Sequence, residues 1–362
     1  IVLDYEGISM RPGALITRDV VVGIVLVVAV LEAARRSLGP VLPIVAIVFI
    51  LYSFLGPYMP GVIAFKGVSV SRFINQITIS TQGIYGIPLD VSATIVFLFV
   101  LFGAMLDQAG AGRYFVQLAF SLLGRFKGGP AKAAVLASGL TGMVSGSSIA
   151  NVVTTGTFTI PMMKKVGYPD HKAAAVEVAC STNGQLMPPV MGAAAFIIAE
   201  YCNIEYLQVV KAAFIPAVVS YIALMYITHL EAGKLGLKGL QKDQIPPFWS
   251  TFIRGIYNII PIMFLIYELV FMRRSPQMAV FRAISALAVL IVVQSIVTAV
   301  RAGHSPLDGL KSSGLLLWRS LVAGGKGMMG IGVAVSAAGI IVGVVTLGLG
   351  GIITEVIEVI SG

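Results

Sequence analysis

The 362-residue chain is 57% hydrophobic and 11% charged, with a mean hydropathy of +0.94. A soluble domain carries roughly a quarter charged residues, so this composition excludes one and indicates an integral membrane protein. The formal charge of +9 does not form a nucleic-acid stripe, because the basic residues fall between apolar runs, as loop charges do under the positive-inside rule.

In chain order, residues 1–18 are a polar entry segment. Apolar runs follow at 20–34, 41–55, 92–106, 207–228, 256–272, 278–300 and 328–348. Each is long enough, or nearly so, to cross a hydrocarbon core of about 30 Å. Their unbroken apolarity predicts helices rather than the alternating pattern of a barrel. The first run ends at Arg35-Arg36, and Pro40 and Pro43 open the second. Between residues 61 and 90 an amphipathic stretch, interrupted by Arg72, Asn75 and Gln76, reads as an interfacial arm. Residues 230–250 form the longest polar loop, marked as cytoplasmic by Lys234, Lys238 and Lys242. A second interfacial segment is expected at about 310–321, ahead of the last run.

Flanking charge fixes the topology of the centre. Arg125, Lys127 and Lys132 precede one broken apolar stretch, and Lys164, Lys165 and Lys172 follow it. With both flanks cytoplasmic, the chain must enter and return on one side. Residues 133–144 and 152–163 are 12 each, or about 18 Å of helix, which reaches a little past mid-membrane. This predicts a re-entrant hairpin with its tip at 145–151. The next run, 173–199, is long enough to cross and is broken at 181–189, which places Glu200 and Glu205 outside. On this scheme Arg273-Arg274 also falls outside, against the charge rule.

The two breaks carry the candidate chemistry. Ser145, Ser147, Ser148 and Asn151 at the tip, and Ser181, Thr182, Asn183 and Gly184 at the second break, offer the oxygen ligands that suit a hard monovalent cation. Pro188-Pro189 cannot continue the preceding hydrogen-bond ladder, so free carbonyls are expected beside it. Helices restarting after each break aim positive ends into the gap, where an anionic group is stabilised. Substrate contacts are expected from Asn151, Thr154, Gln185, Pro188 and Pro189. A bland alternative is that the small residues only allow close helix packing. Glu177, inside an apolar helix, is either a proton relay or a hydrogen-bonded brace. His171, His229 and His304 lie in loops near basic residues, and Cys180 and Cys202 have no metal spacing. GGPAK lacks the GxxxxGK[ST] pattern of a phosphate loop, and no HExxH or serine–histidine pairing marks an intramembrane enzyme. A passive channel is the third reading.

The stretches GGPAKAAVLASGLTGMVSGSSIANVVTTGTFTIPMMKKVGY and AAAVEVACSTNGQLMPPVMGAAAFIIAEY, with LEAARR and GIIVGVVTLGLG at the two ends, give the resemblance. The sequence resembles the large membrane subunit of a TRAP transporter (tripartite ATP-independent periplasmic transporter), in the form fused to the small subunit. Asn183 stands where that family often has glycine. The resemblance implies an all-α elevator fold of the ion-transporter superfamily, with the first inverted repeat complete and the second truncated. It implies a permease of the cytoplasmic (inner) membrane, not an enzyme. Its cargo is a small organic acid delivered by an extracytoplasmic solute-binding protein, with Na+ as coupling ion and no cofactor, or with H+ in its place. On that basis residues 1–36 are the end of a small-subunit-like region, and 37–128 are scaffold helices and arm. Residues 129–205 are the transport hairpin and broken helix, 206–325 are scaffold with the loop and second arm, and 326–362 are the start of a second transport repeat. The chain is expected to be a piece of a longer protein.

Overall fold

The computed structural model describes residues 7, 11, 13–60 and 63–361, so much of the polar entry segment and the start of the first arm lie outside the described residues. Those described residues that form regular structure are helical. The chain divides into two compact units, Ile1–Thr94 with Gly327–Gly362, and Ile95–Lys326.

In the first unit, α1 (Thr17–Leu38) and α2 (Val41–Leu55) are followed by α3 (Val70–Ile74), which continues as a π-helical turn over Asn75–Ile79. Charges at Arg18, Asp19, Glu32, Arg35 and Arg36 confine the apolar part of α1 to 20–31, too short to cross alone. The 61–90 stretch does more than lie in an interface. Phe73, Ile74 and Ile77 are buried in one core with Val27, Ile340 and Val344, while Gln76 turns the other way and donates to Gln82 Oε1 and Thr346 Oγ1 at 2.7 and 3.0 Å. Residues 327–362 thus pack with the chain's first part.

Among the described residues, five helices are long and apolar enough to cross a membrane. They are α2 with its following turn, α4 (Ile87–Gln108), α10 (Tyr206–Lys234), α13 (Pro276–Arg301) and the stretch Pro306–Ile352 that contains α14 (Pro306–Val344). A sixth crossing is formed if the segments Lys242–Asn258 and Ile260–Phe271, bent by 57°, are taken together. Two expectations change here. The stretch 310–321 is not set apart from the last run, because nothing between Pro306 and Val344 removes a backbone donor and one helix runs through both. The run 256–272 is not one straight helix. It starts as the end of α11 (Phe248–Gly255) with a 3-10 turn, and restarts as α12 (Ile260–Ile266) with Pro261 in its first turn.

The second unit holds the hairpin. Between α4 and the hairpin lies α5 (Ala111–Leu123). α6 (Gly129–Ser145) begins after the left-handed Gly128, has Pro130 in its first turn, and stops at the left-handed Gly146, φ 60°, whose N–H bonds Gly142 O at 3.1 Å. α7 (Ser148–Lys165) starts at once, with Ser147 Oγ accepting from Ala150 N at 3.3 Å as its N-cap. The arms have 17 and 18 residues, longer than the apolar runs, because helix geometry continues into the lysine-bearing ends and the polar tip. α8 (Asp170–Gly184) runs to the second break, and α9 (Ala193–Tyr201) resumes after it.

Four polar contacts tie α10 to α8 and to the hairpin base. Asn183 Nδ2 donates to Ser220 Oγ at 2.6 Å, Tyr221 Oη to Cys180 O at 2.9 Å and Tyr168 Oη to Thr228 O at 3.3 Å, and Lys172 pairs with Glu231. Tyr168, in the loop joining α7 to α8, is 3% exposed. Burial, and then the nearby Glu231 carboxylate, push its phenol up to about 12.

Arg274, the apparent exception to the charge rule, is ion-paired. Its Nε lies 2.9 Å from Glu268 Oε2, and Arg282 Nη1 lies 3.5 Å from Oε1 of the same buried carboxylate. Glu268 precedes Arg274 by six residues, so the local charge is smaller than the dipeptide suggests.

Candidate functional site

The hairpin tip meets the second break. The carbonyl of Met143 accepts from Val190 N at 3.3 Å, and Ser148 Oγ accepts from Gln185 Nε2 at 3.0 Å. A Cβ on Gly192 would stand 3.4 Å from Gly146 O, so the starts of α7 and α9 lie side by side. Unpaired N–H groups at helix starts favour an anion. The Pro188-Pro189 bond is cis. The Pro189 and Val190 carbonyls are both taken by Tyr206 Oη, at 2.8 and 2.7 Å, so these two are not free ligands. The carbonyls of Leu186, Met187 and Pro188 receive no hydrogen bond from a described residue.

Below the tip, α6 and α8 touch backbone to backbone. A Cβ on Gly142 would lie 2.5 Å from Gly184 Cα and 3.1 Å from Asn151 Nδ2. Asn151 fills the notch beside this contact and is fully buried. Its Nδ2 donates to Ser138 O and Ser138 Oγ, both at 2.9 Å. Since Ser138 O can only accept, this fixes the amide orientation. Asn151 Oδ1 is then left buried with no partner, as is Thr141 Oγ1, one turn beyond Ser138 on α6. An unpaired buried oxygen costs about 1–3 kcal/mol. Two of them in one region fit the oxygen donor set of a monovalent cation.

A ladder of buried hydroxyls continues from Asn151 to Glu177. Ser138 Oγ is 3.0 Å from Ser181 Oγ, and Ser181 Oγ is 3.2 Å from Glu177 Oε1. Thr155 contacts the same carboxyl oxygen, and Thr159 donates to Oε2 at 2.5 Å. All six side chains are at 0% exposure. Glu177 on α8 therefore reaches α7 through two hydroxyls, Thr155 and Thr159, and is steadied by Ser181 on its own helix, the geometry of a brace.

The expected site residues do not all converge. Asn151, Ser181 and Gly184 meet below the tip, and Ser148 and Gln185 meet across it. Ser147 is used as an N-cap, and Ser145 Oγ reaches only Ser147 O, at 3.5 Å, too long for a strong bond. Thr182 is exposed, with its hydroxyl on Val178 O at 2.8 Å. Asn183 turns to α10, and the Thr154 methyl packs at Gly112 on α5. Ser138, Thr141, Thr155, Thr159 and Tyr206 were missed. Their signal was present, since Asn151, Thr155 and Thr159 repeat every four residues along an apolar helix, as do Glu177 and Ser181.

A helical protein with several helices long and apolar enough to cross a membrane, and with a helical hairpin meeting a broken helix at a polar junction, has the layout of a membrane transport protein. Residues 25–362 match the family described as Tripartite ATP-independent periplasmic transporter, DctM component, and the chain belongs to that family. That family consists of transport proteins of the cytoplasmic (inner) membrane rather than enzymes. Similar proteins include the 2,3-diketo-L-gulonate TRAP transporter large permease of Escherichia coli, 26% identical over 161 residues, 44% of this chain and 37% of that protein. The C4-dicarboxylate TRAP transporter large permease of Pseudomonas aeruginosa is 26% identical over 162 residues, 45% of this chain and 38% of that protein. The sialic acid TRAP transporter permease of Haemophilus influenzae is 28% identical over 162 residues, 45% and 26% of the two chains. The chain spans well under half the length of these relatives.

Proposed function

We propose that this chain forms part of the permease of an ion-gradient-driven secondary transporter that imports small organic acids handed over by an extracytoplasmic solute-binding protein. The carrying observation is the buried, unpartnered Asn151 Oδ1 at the Gly142–Gly184 contact. Na+ is the proposed coupling ion, a hard cation that takes such oxygens. The paired starts of α7 and α9 suit a carboxylate, the group shared by a diketo sugar acid, a C4-dicarboxylate and sialic acid, the cargoes in the relatives' names. In the proposed elevator movement, 129–205 shifts as a body, with 326–362 the start of the second repeat. The four polar contacts to α10 favour extending the moving part to Lys234.

Uptake into proteoliposomes by the full-length protein with its binding protein tests this. An inward Na+ gradient should drive uptake, and Asn151→Ala should lose the Na+ dependence by about tenfold or more. Uptake that follows a proton gradient with Na+ absent would replace Na+ with H+. Flux that ignores both gradients would overturn the proposal in favour of a passive channel.

A further inference from the structure

A cavity of about 600 Å³ lies between α5 and α11. It is lined by Arg113, Tyr114 and Gln117 from α5 and by Thr251, Arg254 and Asn258 from α11 and the turn after it. No carboxylate lines it, and among the described residues neither guanidinium makes an ion pair. Arg113 is held by its other face, 5.7 Å above the Phe158 ring on α7. The cavity therefore offers two unpaired guanidinium groups to an anion.

The surroundings say where the ligand comes from. On α11, Phe248, Trp249, Phe252 and Ile253 occupy one half of the helical wheel and Ser250, Thr251 and Arg254 the other. Trp249 and Ile253 are 71% and 66% exposed, which is the pattern of a helix lying at the membrane surface with an aromatic anchor. Pro246-Pro247, also in the wall, directly follow the loop of Lys234, Lys238 and Lys242, so the cavity belongs to the cytoplasmic side. A soluble anion would have no use for the exposed apolar lip, whereas acyl chains would lie along it.

We infer that this cavity binds the headgroup of an anionic phospholipid from the cytoplasmic leaflet. Arg113 and Arg254 clasp the phosphodiester, since guanidinium forks match phosphate oxygens. A phosphoglycerol headgroup brings that anion with no opposing charge. Phosphoethanolamine and phosphocholine each add a positive charge beside two arginines.

Native mass spectrometry of the full-length protein, titrated with phosphatidylglycerol, phosphatidylethanolamine and phosphatidylcholine, tests this. Phosphatidylglycerol should bind about tenfold more tightly than phosphatidylethanolamine or phosphatidylcholine. Arg113→Gln with Arg254→Gln should abolish the preference, and the milder Arg254→Lys, which keeps the charge but not the fork, should weaken it several-fold. If the double variant does not fold, Arg254→Lys and the single variant Arg113→Gln decide. Unchanged phosphatidylglycerol binding in correctly folded variants would overturn the assignment. So would inorganic phosphate displacing the lipid as readily as added phosphatidylglycerol, because the cavity would then be a site for a soluble anion.

Discussion

The hairpin and α10 lie side by side and follow opposite rules. α10 carries the bulkier apolar residues, yet Ile215, Ile222 and Tyr226 are 69%, 64% and 62% exposed, and only 6% of its most apolar 18-residue window is buried. α6 is built from Ala, Gly and Ser, and Ala131, Ala133, Ala134, Ala137 and Ser138 are all at 0% exposure. In water the order would be reversed. In a bilayer, lipid tails receive Ile as well as a protein core does, so apolarity gives no preference for the interior. Helices associate instead by close backbone approach and by hydrogen bonds that hydrocarbon cannot supply. Of these two, the helix with the bulkier apolar side chains is therefore the exposed one, and the small-residue hairpin is the core.

The largest effect should come from filling the backbone contact. Gly142→Leu places a side chain where a Cβ alone would be 2.5 Å from Gly184 Cα, and it should destabilise the protein by about 3 kcal/mol or more. Ile222→Ala on α10 should change stability by less than about 0.5 kcal/mol. Thermal unfolding of the full-length protein in detergent compares the two, and equal losses would remove the distinction.

Next comes the brace. Glu177→Ala removes a fully buried side chain with its three hydroxyl contacts and leaves a cavity, and should cost about 3 kcal/mol, while Glu177→Gln keeps the shape and two of the contacts and should cost about 1 kcal/mol. The same unfolding measurement checks this. If Gln and Ala are equally harmful, Glu177 does more than brace α7 against α8.

Tyr206→Phe removes the one hydroxyl that holds both Pro189 O and Val190 O. A loss of about 1 kcal/mol is expected, concentrated at the break. Hydrogen exchange should speed up at residues 185–192 and stay unchanged on α13.

The smallest effect is a pH dependence at the hairpin base. The Tyr168 phenol is protonated in both folded and unfolded states below about pH 10, so its contribution is constant there. Between that value and about 12, the unfolded chain loses this proton first. Stability should therefore fall as pH rises through this window. Tyr168→Phe should make the alkaline decline shallower, and an identical decline would place its cause elsewhere.

Much of the centre was legible in the sequence because it is written in local chemistry. Gly146 and Ser147 stop one helix and start the next, Pro188-Pro189 cannot stay in a helix, and lysines flank both arms, so the tip and the break were locatable from residue type alone. Glu177, Asn151 and Ser181 announce themselves as polar groups in apolar runs. The partners of these groups were less legible, since they depend on which faces meet. Ser181 turns inward and Thr182 outward although they are adjacent, because a helix rotates by about 100° per residue. Asn183 faces α10 for the same reason.

By itself, then, the sequence determined that this is a helical membrane protein, where its helices break, and which family it resembles, since each of these follows from composition and near-neighbour chemistry. Only the tertiary structure decided that Gly142 and Gly184 touch, that Asn151 keeps one oxygen unpaired beside them, that Tyr206 closes the carbonyls at Pro189 and Val190, and that Arg274 is neutralised by Glu268. Those facts join groups on different helices or across a turn. Their spacing is set by packing between elements, which no local pattern encodes.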